Sequence, residues 1–264
     1  MHEEQLAAYL ARIGVSRAEG ADLETLTAVQ RAHRLAITFE NLDIPLGRGI
    51  SLAAEAVLDK LVTRRRGGYC FEQNSLLLAA LRAIGFEARP LLARVWLLAE
   101  HTPPQTHTLN LVTLDGTDYA VDAGFGGSYV PPLPLVEDEP VTTEDGARHR
   151  LVREAEHGWM LDRDPGTGWG RQYSFTLAPV WPIDLEMANH FTATRPCTRF
   201  TTLRIASRTL PDGYASLVDR TLTISRKGVP EAREIESAGE YRAVLAETFA
   251  LDLSPAEIEA LKLF

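Results

Sequence analysis

The residue of this chain best suited to nucleophilic chemistry is a cysteine that follows two glycines. Cys70 lies within residues 66–74, Arg-Gly-Gly-Tyr-Cys-Phe-Glu-Gln-Asn, where a turn poor in side chains meets the expected start of a helix. Unpaired N–H groups and the positive end of a helix dipole favour a thiolate, which predicts a lowered pKa for Cys70 and donors for an oxyanion. Taken alone, the stretch also fits a small buried residue beside a plain turn.

A histidine and an aspartate follow at the ends of two strand-like runs. His107 precedes the run 108–114, and Asp122 closes the run 119–122. The Asp115-Gly116 pair between the runs predicts a hairpin that sets His107 and Asp122 on neighbouring positions. Taken singly, His107 fits a hydrogen-bonded edge residue and Asp122 a turn residue at a strand end.

Together the three residues have a defined chemistry. His107 takes or shares the proton of Cys70, while Asp122 orients the imidazole and stabilises its charged form. A thiolate–imidazolium pair is then ready for acyl transfer. A cysteine on a helix N-terminus, followed by His and Asp on strands, also suits papain-like and transglutaminase-like enzymes, so the pattern leaves the acyl donor open.

A glycine-rich loop follows Asp122 directly. Its residues are Gly124, Phe125, Gly126 and Gly127. Backbone N–H groups in such a loop can contact a carbonyl or a pyrophosphate, and Phe125 can supply an aromatic wall. The loop is neither a dinucleotide fingerprint nor a phosphate-binding P-loop, and an ordinary turn is the alternative interpretation.

The elements that must position these residues change in character along the chain. Up to about residue 85 the apolar residues have helical spacing: one run follows a cap at Asp22, another follows Ser51, and a third helix begins near Cys70 and ends at Gly85. Residues 86–191 are rich in short strand-like runs, including 91–98, which predicts a sheet or small barrel.

The last third of the chain predicts a smaller α/β segment. Two strand-like runs, 200–208 and 216–224, precede two closing helices, and Ser254, Pro255 and Glu257 cap the last of them.

Composition narrows the classes of function. The 264 residues are 45% hydrophobic and 24% charged, as in a soluble globular protein. A net charge of −9 argues against a nucleic-acid partner, and we expect no membrane span and no secretory signal, hence a cytoplasmic location. Only Cys70 and Cys197 are present, so we expect free thiols and neither a disulfide framework nor a cysteine-rich metal site.

Four stretches of this sequence resemble the arylamine N-acetyltransferases. They are 39–42 (Phe-Glu-Asn-Leu), 66–74, 107–110 (His-Thr-Leu-Asn) and 121–126 (Val-Asp-Ala-Gly-Phe-Gly). The resemblance is dense over about residues 35–130 and weak in the C-terminal third, and the compact length resembles the bacterial members. One departure is Thr38, where relatives often carry proline, and we expect it to affect the pocket entrance only.

The resemblance implies an α+β multidomain fold with a papain-like Cys-His-Asp arrangement. The implied domains are a helical bundle over 1–85 that carries Cys70, a β-barrel over 86–192 that carries His107 and Asp122, and an α/β lid over 193–264. The implied catalytic residues are Cys70, His107 and Asp122. The residues implied to bind substrate are Phe39, Phe125, Gly124, Gly126 and Gly127, and a buried pair near the site is formed by Glu40 and Arg66.

The implied reaction is a ping-pong acetyl transfer. Cys70 takes the acetyl group of the co-substrate acetyl-CoA, and an arylamine, arylhydrazine or N-hydroxyarylamine then accepts it. We expect no metal and no permanently bound cofactor, and a monomer or homodimer. Local cations must meet the phosphates of CoA, and the candidates are Arg199, Arg204, Arg226 and Lys227. Cys197 is expected to be a structural or incidental thiol.

Three other functions remain open on the sequence alone. A macrolactam-forming amide synthase has the same fold and triad, and would close a polyketide chain onto an aromatic amine. A cysteine hydrolase or transglutaminase-like enzyme would act without CoA. A binding module that has lost activity is disfavoured by the presence of all three residues of the triad.

Overall fold

The computed structural model describes residues 1–18, 20–97 and 99–264. Its α-helices are α1 (Glu3–Ile13), α2 (Leu23–Ala36), α3 (Ala54–Leu58), α4 (Cys70–Ile84), α5 (Pro182–Thr194), α6 (Arg199–Thr202), α7 (Ala238–Phe249) and α8 (Pro255–Ala260), and a π-helical turn at Asp59–Thr63 continues α3. Its strands are β1 (Phe39–Glu40), β2 (Glu87–Val95), β3 (Gln105–Leu114), β4 (Thr117–Val121), β5 (Leu133–Pro134), β6 (Val141–Thr142), β7 (Arg148–Glu154), β8 (Gly158–Asp164), β9 (Gly170–Phe175), β10 (Ile205–Leu210), β11 (Gly213–Val218), β12 (Thr221–Arg226) and β13 (Val229–Glu234).

The helices at the start of the chain form where the apolar spacing predicts them. Asp22 caps α2, because its side chain accepts a hydrogen bond from the Thr25 N–H at 2.8 Å. Helix α4 begins at Cys70 and is closed by Gly85, which has the left-handed φ of 115° that glycine tolerates. The helices α1, α2 and α4 bury their apolar faces in one cluster with part of β3 and β4. The predicted helix with its glycine end is therefore confirmed.

The strands β2–β9 form one antiparallel sheet that curls into a half-barrel. The order is β5-β4-β3-β2-β9-β8-β7-β6, so β5 and β6 are its two edges. The predicted sheet or small barrel is therefore present as a curled, incompletely closed sheet, in which an isolated bridge of Glu137 with Leu151 joins the segment after β5 to β7. The predicted run 91–98 overlaps β2, which ends at Val95, while Leu98 lies outside the described residues.

The hairpin between β3 and β4 forms as predicted. Leu114 pairs with Thr117, and the two residues between them, Asp115 and Gly116, have φ values of 48° and 79°. Two consecutive positive φ angles are the geometry of the tight hairpin turn that follows the twist of its strands. The turn sets the register in which β4 runs back along β3 towards the glycine loop.

The C-terminal third holds more strands than the sequence predicts. Four strands, β10 to β13, form an antiparallel meander in which β1 is the fifth strand, beside β10. The predicted run 200–208 is wrong at its start, because Phe200 lies in α6. The closing helix α8 is confirmed, with Ser254 and Glu257 in a capping box and Pro255 in its first turn. The division of the chain into three domains stays a prediction. None of the described helices has the length and apolar character needed to cross a bilayer.

A buried asparagine joins the segment after β1 to the C-terminal third. Asn41 donates through Nδ2 to the carbonyl oxygens of Phe200 (2.9 Å) and Leu203 (2.8 Å), and its Oδ1 accepts from the Ile205 N–H at 2.7 Å. The side chain is fully buried. It therefore satisfies three backbone groups that α6 and β10 leave unpaired.

We expect Asn41→Ala to lower the free energy of unfolding by about 2–4 kcal/mol, because three buried backbone groups lose their partner. Urea denaturation measures the change. The control is Gln172→Ala, whose amide makes a local bond to the Gly170 carbonyl, and whose effect should stay within about 0.5 kcal/mol. Equal effects of the two substitutions would contradict the structural role of Asn41.

Candidate active site

The cysteine lies where a glycine turn enters helix α4. Cys70 is the first residue of α4, is 3% exposed, and its sulfur lies 3.8 Å from the Thr106 carbonyl oxygen. A Cβ added at Gly67 would come within 2.7 Å of the Glu40 side chain, and one at Gly68 within 2.9 Å of Glu72. The turn before Cys70 therefore needs two residues without side chains.

The histidine and the aspartate are directly hydrogen-bonded. His107 Nε2 lies 2.7 Å from Asp122 Oδ2. His107 belongs to β3, and Asp122 follows β4 one position beyond the pair of Asn110 with Val121. A carboxylate only accepts hydrogen bonds, so the Nε2 proton points at Asp122 and Nδ1 is left as the acceptor. The predicted hairpin thus brings the two side chains together.

A β-bulge brings the strand of His107 against the cysteine. The pairing of β3 with β2 shifts register at Thr106, because Ala93 pairs with His107 while the next residue, Arg94, pairs with Gln105. Thr106 is the extra residue, and its carbonyl meets the Cys70 sulfur. The backbone just before His107 therefore lies against the thiol.

One asparagine on α4 connects the elements of this site. Asn74 lies one helical turn after Cys70 and donates through Nδ2 to the Thr108 carbonyl (2.7 Å) and to Asp122 Oδ1 (3.0 Å). Its Oδ1 accepts from the Ala123 N–H at 2.9 Å. The side chain thus holds the helix, the strand of His107 and the loop of Asp122 at fixed distances. Asn74 is the last residue of the motif 66–74, but its spacing from the other residues does not predict a role for it.

Electrostatics separate the aspartate from the cysteine. Burial raises the pKa of Asp122, but the charge and hydrogen bond of His107 and the bonds from Asn74 and Gly124 outweigh it and hold the pKa at about 2. Burial, reinforced by the charge of Asp122, raises the pKa of the Cys70 thiol, although the N–H groups of Thr108 and Phe71 oppose the shift.

The expected lowering of the Cys70 pKa by the helix end is therefore wrong for this structure. The free energy needed to remove a thiolate from water exceeds the stabilisation that a helix terminus provides, unless a cation forms beside the thiolate. His107 Nδ1 is the acceptor that the Asp122 bond leaves available to a donor.

The glycine loop is held in place by a buried arginine that the sequence did not single out. Arg34, on α2, donates to the carbonyl oxygens of Gly126 (2.8 Å), Ser128 (3.0 Å) and Gly127 (3.1 Å) through Nη2, and to that of Ala123 (3.2 Å) through Nη1. Four carbonyls of one irregular loop thus share a single cation. The position of Arg34 on α2 predicts only that it lies on the buried face of the helix. Its spacing gives no sign that it contacts the glycine loop.

The C-terminal sheet contributes a second set of contacts to this loop. Ser207 Oγ accepts from the Gly127 N–H at 3.2 Å, and Thr209 Oγ1 donates to the Gly127 carbonyl at 2.9 Å. Gly126 and Gly127 have φ values of 85° and 68°, which side chains rarely adopt. A Cβ at Gly124 would lie 2.6 Å from the Cys70 Cα. The conformation of the loop therefore depends on glycine at these three positions.

Aromatic rings surround the His107 imidazole and the cysteine. Phe125 meets His107 edge-on at a centroid distance of 5.2 Å, and Tyr173, on β9, lies 5.0 Å from it. Phe39 packs in the buried cluster that contains Cys70, with its ring 5.9 Å from that of Phe200. The two phenylalanines predicted to bind substrate therefore lie on the His107 side and the Cys70 side of the site.

Five charged side chains are buried behind the glycine turn. Arg66 bonds to Glu40 through Nε (3.0 Å) and Nη2 (2.7 Å), and its Nη2 is 3.2 Å from Asp43. Lys60 bridges Asp43 and Glu72, each at 2.8 Å. Three carboxyl groups thus face two cations. Burial, aided by the nearby Glu40, raises the pKa of Glu72 to about 7 despite Lys60.

This cluster extends the predicted Glu40–Arg66 pair. Glu72 also accepts from the Tyr69 N–H at 3.1 Å, and Glu40 accepts from the Leu42 N–H at 2.8 Å. The carboxylates therefore anchor the backbone just after the glycine turn, at Tyr69, and just after β1, at Leu42, as well as pairing with cations. Removal of one partner would leave a buried charge uncompensated.

The cations predicted to meet the phosphates of CoA lie in the C-terminal third, and two of them bind other groups of the protein. Arg226 pairs with Asp212 at 2.6 Å, and Arg204 donates to the carbonyl oxygens of Leu261 and Thr202. Arg199 and Lys227 remain predictions for phosphate contacts. Cys197 is exposed, on the segment between α5 and α6.

Comparisons with known proteins agree over nearly the whole chain. The N-acetyltransferase family model matches residues 22–258. The arylamine N-acetyltransferase of Mycolicibacterium smegmatis is 37% identical over 254 residues, which are 94% of this chain and 92% of the relative. That of Escherichia coli strain K12 is 37% identical over 94% of this chain and 89% of its own.

Solved structures agree in fold as well. The arylamine N-acetyltransferase of Salmonella typhimurium superposes with a TM-score of 0.93 at 32% identity and full coverage of both chains (100% each). That of Mycobacterium marinum, solved in complex with CoA, gives a TM-score of 0.90 at 34% identity over 97% of each chain.

We expect Gly124→Ala to slow alkylation of Cys70 by iodoacetamide about tenfold or more, because the new methyl group would overlap the Cys70 backbone and the Asn74 amide at 2.7 Å. The matched control is Gly239→Ala on α7, where a Cβ meets nothing within 4 Å. Alkylation rates followed by mass spectrometry compare the two. A wild-type rate in Gly124→Ala would show that the loop does not contact the helix as described.

Acid unfolding tests the Asp122 environment. Its pKa is depressed to about 2 in the folded chain, so it contributes stability above its unfolded pKa of about 3.9 that is lost as pH falls towards 2. We expect Asp122→Asn to remove about 2–3 kcal/mol of the pH-dependent change in unfolding free energy between pH 5 and pH 2. Urea denaturation at successive pH values measures this. Parallel curves for the two proteins would contradict the assignment.

Proposed function

This chain belongs to the arylamine N-acetyltransferase family, and from that premise we propose that it moves acetyl groups from acetyl-CoA to aromatic amines by a ping-pong mechanism through acetyl-Cys70. The observation that carries the proposal is the 2.7 Å bond of His107 Nε2 to Asp122, with the carbonyl of the preceding residue, Thr106, 3.8 Å from the Cys70 sulfur. That arrangement leaves one imidazole nitrogen as the base for a buried thiol.

The first half-reaction begins with proton transfer. The Cys70 proton passes to His107 Nδ1, and Asp122 stabilises the imidazolium that results. The sulfur attacks the carbonyl carbon of the acetyl thioester, and the carbonyl oxygen takes up the negative charge. When the tetrahedral intermediate collapses, the bond to the sulfur of CoA breaks. His107 returns its proton to that sulfur, so CoA leaves as a thiol and the enzyme holds an acetyl group.

The second half-reaction reverses these roles. The nitrogen of an arylamine, arylhydrazine or N-hydroxyarylamine attacks the acetyl carbon, and the Cys70 thiolate leaves. His107 takes the proton that the nitrogen loses and restores the Cys70 thiol. A weakly basic aromatic amine is unprotonated at neutral pH, so it needs no second strong base. We assign Phe39 and Phe125 to the walls of its pocket.

The glycine loop is proposed to meet the phosphate-bearing part of CoA. Arg34 and Thr209 hold the carbonyl oxygens of residues 126–128 on one side of the loop. The N–H groups of Gly124 and Gly127 are bonded to Asp122 and Ser207, so the contact of Gly124, Gly126 and Gly127 with the co-substrate is proposed as a close approach to a loop without side chains at these positions. The proposal includes no permanent cofactor and no metal, a cytoplasmic monomer or homodimer, and Cys197 as a thiol without a role in the reaction.

Mass spectrometry of the protein after incubation with acetyl-CoA tests the intermediate. We expect one added acetyl group, released as acetylated product when an aniline is supplied. Cys70→Ser should take up none, while Cys197→Ser, the matched control, should keep most of the activity. Unchanged mass of the wild type under mild conditions would overturn the proposal.

Two outcomes would favour other functions. Hydrolysis of a peptide or amide without CoA would indicate a cysteine hydrolase or transglutaminase-like enzyme. A reactive Cys70 that takes no acetyl from CoA, but is loaded by a carrier-bound polyketide thioester, would indicate an amide synthase.

A further inference from the structure

A buried series of hydrogen-bonded side chains runs from α1 through α2 to α4. Tyr9 Oη lies 2.9 Å from His33 Nδ1, and His33 Nε2 lies 2.6 Å from Gln73 Oε1. Tyr9 and His33 have no exposed surface, and Gln73 is 1% exposed. These side chains lie outside the set His107, Asp122 and Cys70, and the acetyl-transfer steps do not use them.

Gln73, the last side chain of this hydrogen-bonded series, reaches the turn that precedes Cys70. Gln73 Nε2 lies 3.0 Å from the Thr38 carbonyl oxygen and 3.1 Å from that of Gly68. The Gly68 N–H donates to Thr38 at 3.2 Å, and the Glu40 N–H donates to Gly68 at 3.1 Å. The Gln73 amide therefore ties the glycine turn to the residues beside β1.

Only one orientation of the Gln73 amide satisfies these contacts. Carbonyl oxygens accept but do not donate, so the NH2 group must face Thr38 and Gly68 and the amide oxygen must face His33. A reversed amide would set its oxygen against three carbonyl oxygens, since Gln73 Nε2 also lies 3.3 Å from that of Ile37. A donor at His33 Nε2 reinforces this orientation by giving the amide oxygen its partner.

The histidine donates at Nε2 only in one tautomer. With the proton on Nε2, Nδ1 is an acceptor, and the Tyr9 hydroxyl is the donor it faces. Burial lowers the pKa of His33 to about 4, so the imidazole is neutral near pH 7. Burial also raises the pKa of Tyr9, so the phenol keeps its proton. Each group in the chain thus has one hydrogen-bonding state.

We propose that His33 is a positioning residue for the acyl-transfer site: its Nε2 proton, set by Tyr9, orients the Gln73 amide, and that amide holds the Gly67–Gly68 turn that delivers Cys70. The inference rests on the proposed function in taking Cys70 as the nucleophile. The contribution of His33 to holding the turn is the direction of one hydrogen bond rather than the volume of its imidazole.

Three substitutions at His33 separate this role from core packing. The amide of His33→Gln can place an N–H donor near the position of Nε2, whereas His33→Asn is too short to reach Gln73, and His33→Leu fills space without a donor. The matched control is His149, a second buried histidine, on β7, whose Nδ1 has no hydrogen-bond partner among the described residues. His149→Gln, His149→Asn and His149→Leu disturb the core without touching the turn.

The readout is the rate constant for alkylation of Cys70 by iodoacetamide, measured with the melting temperature of each variant. We expect His33→Asn and His33→Leu to react about tenfold or more slowly, the equivalent of one lost buried hydrogen bond, and His33→Gln within about threefold of wild type. The His149 variants should lower the melting temperature while leaving the rate unchanged. The alkylation rate of Tyr9→Phe should lie between that of His33→Gln and those of His33→Asn and His33→Leu.

Two results would overturn the inference. Either His33→Gln is as slow as His33→Leu, or the rates of all His33 and His149 variants follow their melting temperatures alone. Because iodoacetamide needs no acetyl-CoA, the outcome is independent of the acyl donor. A wild type that is alkylated rapidly but never acetylated would defeat the proposed function and leave the His33 result intact.

Discussion

The amide of Asn74 is the interaction on which the arrangement of the site depends. Its two ends bind the strand of His107, the carboxylate of Asp122 and the backbone of Ala123, and it stands one turn along the helix that begins with Cys70. An amide can both donate and accept, so a single side chain holds three segments with different polar needs. Asn110 Nδ2 adds a second bond between β3 and α4, to the Asn74 carbonyl oxygen at 3.1 Å, while the apolar contacts between these elements have no preferred direction.

The loops around this amide carry many backbone groups that no regular element satisfies. Arg34 serves four carbonyl oxygens of the glycine loop, and Glu72 serves an N–H group before Cys70. Burying such charges is costly, yet each replaces the water that an irregular loop would otherwise require. Lys60 and Arg66 likewise face three buried carboxyl groups, and burial raises the pKa of Glu72.

Distant parts of the chain supply the side chains that hold the backbone around the site. Helices α1 and α2 contribute Tyr9, His33 and Arg34, and the C-terminal sheet contributes Ser207 and Thr209. The site is therefore a meeting point of the helices, the half-barrel and the C-terminal sheet. Its geometry depends on the helix packing as much as on the residues nearest the sulfur.

The sequence by itself determined the local features. Asp22 and Gly85 mark helix ends through capping, and Asp115-Gly116 marks the hairpin, because these conformations depend on neighbouring residues. Its motifs also selected Cys70, His107 and Asp122. Only the tertiary structure decided that the sheet stays open, that β1 joins the C-terminal strands, and that burial raises the pKa of Cys70. Strand closure, pairing between distant segments and desolvation depend on contacts across the whole chain, which no local spacing encodes.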